Sequence, residues 1–112
     1  MNHVVLLIFG PVLIATGILG FVVPPQRAVT SGAPAYNVFH LFFGGFGTVL
    51  AIAGSNGPIR AFMIGFGAID LYQAAASRLG WFPQRWFRWR AADDVLHVVI
   101  GAFLVVVGVA AS

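Results

Sequence analysis

Cysteine, lysine and glutamate are all missing from this 112-residue chain, and its charge is confined to six arginines and three aspartates. Without cysteine there is no disulfide, no thiolate metal site and no thiol nucleophile. Charged residues make up 8% of the chain, against roughly 25% in an average soluble domain, so these side chains cannot assemble a water-facing surface. With 60% of the residues hydrophobic, lipid is the expected solvent. The net charge of +3 is no nucleic-acid signal, because the arginines stand among apolar residues and form no basic face with base-reading side chains. No serine stands at a spacing that would make it a hydrolytic nucleophile. Gly44-Gly45-Phe46-Gly47 falls mid-helix and not in a phosphate-binding loop. The expectation is a non-enzyme with no catalytic residue and no metal site.

What the chain does contain is an internal echo. Asn37-Val38-Phe39-His40-Leu41-Phe42-Phe43-Gly44 matches Asp94-Val95-Leu96-His97-Val98-Val99-Ile100-Gly101 at an offset of 57 residues. The same register pairs Phe46 with Phe103, Val49 with Val106, Ala53 with Ala110, and Phe9-Gly10 with Phe66-Gly67. A fixed offset within one chain marks a duplicated structural unit, here a helical hairpin with one imidazole near the head of its second helix.

A helix crossing the hydrocarbon core needs about 20 mostly apolar residues. Four segments are expected to do so: His3–Val23, stopped by Pro24-Pro25; Asn37–Gly54, stopped by the breaker run Gly54-Ser55-Asn56-Gly57-Pro58; Ile59 to about Arg78; and Asp94–Ala111. Ala33-Pro34-Ala35 has the form of a signal-peptidase site, but the residues before the first apolar run carry no Lys or Arg; an uncleaved first span is expected. The fold expected is an all-α integral membrane four-helix bundle. It forms one domain over residues 1–112, built from two tandem transmembrane hairpins, 3–54 and 59–111. Both hairpins run in the same direction, so their pseudo-two-fold lies along the membrane normal and His40 and His97 lie level on one side. Small-xxx-small pairs (Gly44/Thr48, Gly47/Ala51, Thr16/Gly20, Ala61/Gly65) offer close helix approach, with the 11 phenylalanines filling the gaps.

The connections over 24–36 and 80–93, with the adjoining end of the third span, carry Arg27, Arg78, Arg85, Arg88 and Arg90, against Arg60 alone on the other side. The positive-inside rule places those connections in the cytoplasm and both termini outside. Trp81, Arg85, Trp86, Arg88, Trp89 and Arg90 crowd into the third connection. They are expected as interface or lipid anchors in the headgroup layer, with docking onto a protein partner or bound lipid as the alternative.

Asn37 and Asp94 are expected as helix caps, with His40 and His97 one turn inside. Structural hydrogen bonds, proton relay, or axial ligation of a haem or chlorin are the roles open to the two imidazoles. Asp70 lies mid-span, where a carboxylate costs about 2.5–3.5 kcal/mol on insertion scales. It is expected to face the bundle interior as an ion or substrate site or as a bonded acid; Tyr72, Gln73, Thr48 or a histidine through water are its candidate partners.

With Asn37-Val38-Phe39-His40-Leu41 followed by Gly44, and Asp94-Val95-Leu96-His97 followed by Gly101, the chain resembles a bacterial family of small four-helix membrane proteins carrying N-x-x-H-L…G and D-x-x-L-H…G signatures. The resemblance implies the four-span layout and the bacterial cytoplasmic membrane; it implies no activity, because that family has none assigned. Small multidrug transporters are similar in length and span number, but they need a glutamate in the first span. Small fluoride channels are similar in size, but their polar motifs are not found here. Three functions follow as expectations: a non-enzymatic accessory or scaffold subunit with a membrane-protein partner or a second copy; a haem- or chlorophyll-binding subunit using His40 and His97; and a small transporter or channel centred on Asp70.

Overall fold

A computed structural model describes residues 2–24, 27 and 31–110; Pro25 and Ala111, used above as helix stops, lie outside these residues. The described residues are all helix and connection, with no strand. Five helices follow in order: α1 Asn2–Val22, α2 Pro34–Ala53, α3 Asn56–Leu79, the single-turn α4 Gln84–Phe87, and α5 Ala91–Ala110. α1, α2 and α5 are long and apolar enough to cross a membrane; at 20 or 21 residues each measures about 30 Å, the thickness of a hydrocarbon core. α3, with 24 residues, is not among them. Arg60, Asp70, Gln73 and Arg78 interrupt its apolar run.

Two helix starts differ from the sequence reading. α2 begins at Pro34 and α5 at Ala91, each three residues ahead of the repeated octapeptide. Pro34 suits a first helical position, where its missing N–H is not needed. Asn37 and Asp94 are therefore not caps but fourth helical residues, and His40 and His97 lie about two turns inside. The cap of α5 comes from Asp93, whose Oδ2 accepts the N–H of Arg90 at 2.8 Å, the return half of a capping box. The breaker run after α2 also shrinks. Only Gly54 and Ser55 lie outside helix, and Gly57 and Pro58 are absorbed into the first turn of α3, where backbone donors have no intrahelical partner to lose. Gly54 ends α2 at φ +78 and Gly80 ends α3 at φ +70, the left-handed closure that glycine adopts without a Cβ clash.

Packing is pairwise: α1 lies along α2 and α3 along α5, with lighter contacts of α3 to α1 and α2. Glycine sets both close approaches. A Cβ on Gly44 would stand 2.9 Å from the Gly10 carbonyl oxygen, and one on Gly67 would stand 2.8 Å from that of Gly101. Between the pairs, aromatic rings fill the core. Phe66 meets Phe9 at 5.7 Å, Phe39 at 5.7 Å, Phe43 at 5.3 Å and Phe62 at 5.5 Å between ring centroids. Leu6, Leu13, Ile59, Met63 and Leu104 complete this apolar half. A second, smaller cluster of Ala33, Tyr36, Ala76 and Trp89 lies toward the connections 23–33 and 80–90.

Candidate functional site

Asp70, His40 and His97, which sequence reasoning singled out, line one cavity of about 80 Å³ together with Tyr36, Asp93 and Thr16. Phe9 and Phe66 wall it on the apolar side. Each helix supplies its part from a buried face: Tyr36 and His40 one turn apart on α2, Asp70 on α3, Asp93 and His97 one turn apart on α5. Tyr36 stands at the centre. Its hydroxyl bonds His97 Nε2 at 2.6 Å, while its ring lies 4.2 Å from that of His40 and 5.8 Å from that of His97. Nδ1 of His40 and Nδ1 of His97 are both buried without a hydrogen-bond partner among the described residues.

Two chains of bonds lead from the cavity toward the connections. In the first, Gln73 Nε2 donates to Asp70 Oδ1 at 3.2 Å and Gln73 Oε1 accepts Trp89 Nε1–H at 3.0 Å. Of the partners open to Asp70, Gln73 is the one that bonds it. Tyr72 instead donates to the Phe82 carbonyl and Thr48 to that of Gly44. In the second, Asp93 Oδ2 accepts the N–H of Ser31 at 2.8 Å as well as that of Arg90, and Ser31 Oγ donates to the Phe87 carbonyl. The two connections are thereby tied to each other and to the head of α5.

The aromatic–arginine connection divides. Trp81 and Trp86 are exposed, as are Arg85 and Arg88, in keeping with an interfacial position. Trp89 does not belong with them. It is 6% exposed and faces inward, because its indole N–H serves Gln73. Arg90 is half-buried. Asn37 donates through Nδ2 to the Gly32 carbonyl at 2.9 Å, tying the first connection to α2. Asp94 turns away from the cavity and pairs with Arg78 Nε at 3.2 Å.

A tetrapyrrole held between the imidazoles does not fit this arrangement. The Tyr36 ring packs against both of them, and about 80 Å³ accommodates a few waters at roughly 30 Å³ each. Among the described residues no group of three His or acidic side chains is placed to hold a metal ion. What the arrangement can do is bind water and hold and redistribute protons among two carboxyls, two imidazoles and a phenol.

Sequence reasoning did not single out Tyr36 or Asp93 as site residues. The 57-residue register carried the signal: Tyr36 is the counterpart of Asp93 and Leu13 that of Asp70. Read at that offset, eight of the twelve lining residues fall into pairs, Phe9 with Phe66, Leu13 with Asp70, Tyr36 with Asp93 and His40 with His97. Both acids come from the second half of the chain. Comparison with protein-family models, curated proteins and solved structures found no match.

Proposed function

We propose that the chain is a four-span protein of the bacterial cytoplasmic membrane that serves as a non-enzymatic accessory or scaffold subunit of a larger membrane assembly. α1–α2 and α3–α5 are the two copies of a duplicated hairpin, related by a pseudo-two-fold along the membrane normal. Equivalent glycine contacts in the two hairpins, Gly10 with Gly44 and Gly67 with Gly101, support this. So does the pairing of cavity-lining residues at the 57-residue offset. The arginine distribution orients the connections toward the cytoplasm.

One observation carries the subunit reading. The helix least suited to lipid, α3, turns a stripe of small residues outward: Ala61, Gly65, Ala68 and Ala75 are all exposed, at helical spacing with Tyr72. Nothing stands within 4 Å of a Cβ placed on Gly65. Small residues on one face of a membrane helix allow another helix to pack closely, which is the main source of helix association in lipid. A partner helix over this stripe would also shield the least apolar span from the acyl chains.

The test is co-purification of the tagged chain in gentle detergent. The parent protein is expected to retain a membrane-protein partner or a second copy. Gly65→Leu, which has room in the isolated bundle, should abolish retention while leaving the helical circular dichroism unchanged. A lone, monodisperse monomer from the parent chain contradicts the subunit role.

A further inference from the structure

The cavity holds two carboxyls, two imidazoles and a phenol with no arginine among its lining residues. The surroundings sharpen the chemistry. α1 contributes only Phe9, Val12, Leu13 and Thr16, so it presents nothing ionisable to the cavity. α2 presents Tyr36 and His40, α3 presents Asp70, and α5 presents Asp93 and His97. The nearby charges outside the lining are Asp94, engaged by Arg78, and Arg90, whose N–H is on Asp93. A charge left unbalanced inside a lipid-embedded bundle is costly. With no fixed cation in the lining, the charge of an ionised carboxylate there is balanced locally by a proton on an imidazole. Every neutral state of the cluster therefore holds the same number of protons, differing only in where they sit: both acids protonated and both imidazoles neutral, one carboxylate beside one imidazolium, or both carboxylates beside both imidazoliums. The two buried, unpartnered Nδ1 atoms are the sites that such a rearrangement would fill.

From this geometry we infer that the cavity is a proton-binding site, in which Asp70, Asp93, His40 and His97 share protons through Tyr36 and enclosed water, loaded from the side of the two connections. The inference rests on the membrane placement of the bundle but not on its role as a subunit. Loading from one side follows from the walls. Toward the connections the cavity is continued by the polar chains Gln73–Trp89 and Asp93–Ser31. In the other direction Phe9 and Phe66 close it, backed by Phe39, Phe43 and Phe62. Uptake transfers one proton from water to a cluster that holds one unbalanced carboxylate, leaves the conjugate base outside, and returns the cluster to its neutral state. With its polar continuations all on one side, the site stores a proton rather than conducting it.

The experiment is an infrared and ¹⁵N-histidine NMR titration of the purified protein in lipid nanodiscs, in H₂O and D₂O. A carboxylic-acid C=O band that shifts in D₂O is expected, fading with rising pH in one linked transition with the His40 and His97 resonances, as interacting sites titrate. Asp70→Asn keeps an oxygen for Gln73; it should remove part of the band and displace the histidine midpoint by about one pH unit or more. Asp94→Asn, altered outside the cavity, should leave the band in place. Tyr36→Phe should uncouple the two histidines while retaining the band. Histidines that titrate independently of Asp70→Asn, or the lack of any protonated-carboxyl band at any pH, overturn the site. In oriented proteoliposomes a pH step on the connection side should shift the band, and a shift driven from the opposite side overturns the one-sided loading. None of these readouts depends on a partner, so loss of the subunit reading would leave them unaffected.

Discussion

Replacing Gly101 with alanine tests the packing on which the site depends. A Cβ there would lie 2.8 Å from the Gly67 carbonyl oxygen, 3.0 Å from Leu71 Cγ and 3.1 Å from Asp70 Cβ. The first of these is backbone, so no rotamer change relieves it and α3 and α5 must separate. Overpacking of this kind costs about 1–3 kcal/mol, opposed by the roughly 0.5–1 kcal/mol that alanine gains over glycine within a helix. The net expectation for Gly101→Ala is a loss of about 0–2.5 kcal/mol. Gly65→Ala, whose Cβ meets nothing within 4 Å, keeps the helix gain alone, so the two variants should differ by about 1–3 kcal/mol. Thermal and denaturant unfolding of the purified chain in one detergent, followed by circular dichroism, measures the difference. Gly67→Ala combined with Gly101→Ala should be less than additive, because one separation accommodates both methyls. A Gly101→Ala protein as stable as Gly65→Ala would refute the close α3–α5 crossing.

Three further outcomes are expected. Tyr36→Phe strips His97 Nε2 of its partner inside the bundle and should cost about 1–3 kcal/mol, whereas Tyr72→Phe, at an exposed bond, should cost no more than about 1.5 kcal/mol; equal losses would count against the buried pair. Asp93→Ala removes the acceptor shared by Ser31 and Arg90, so hydrogen exchange at those two amides should accelerate well ahead of the α5 interior, and unchanged protection there would contradict the capping bond. Arg78→Gln should change stability by less than about 1 kcal/mol, since the guanidinium side chain is 70% exposed; a large loss would show that the Asp94 pair is more deeply buried than its geometry indicates.

Much of the architecture was legible because long apolar runs between breaker residues leave few choices but helix. Long apolar runs bounded by Pro24, Gly54 and Gly80 gave helices whose ends fall within a few residues of expectation. The starts of α2 and α5 were misread because Asn37 and Asp94 look like good caps locally. Pro34 and the Arg90–Asp93 capping bond begin those helices a turn earlier, and the bond depends on the conformation of the connection. The site was half legible. His40, His97 and Asp70 stood out as polar residues in apolar runs, but their convergence depends on how the hairpins pack. Trp89 looked like an interfacial aromatic and Tyr36 was not singled out; only tertiary contacts with Gln73 and His97 reveal the two as inward-facing. Asp93 was overshadowed by Asp94, which matches the octapeptide; the cavity receives Asp93 because one residue along a helix turns a side chain by about 100°.

In the proposed layout the two hairpins run in parallel, which puts positions 27 and 85 on one side of the membrane and position 55 on the other. The chain has no cysteine, so single cysteines placed at Arg27, Ser55 and Arg85, all exposed, can be labelled with a membrane-impermeant maleimide in right-side-out and inverted vesicles. Arg27→Cys and Arg85→Cys are expected to label from the cytoplasmic side and Ser55→Cys only from the other. Labelling of positions 27 and 85 from opposite sides would contradict it.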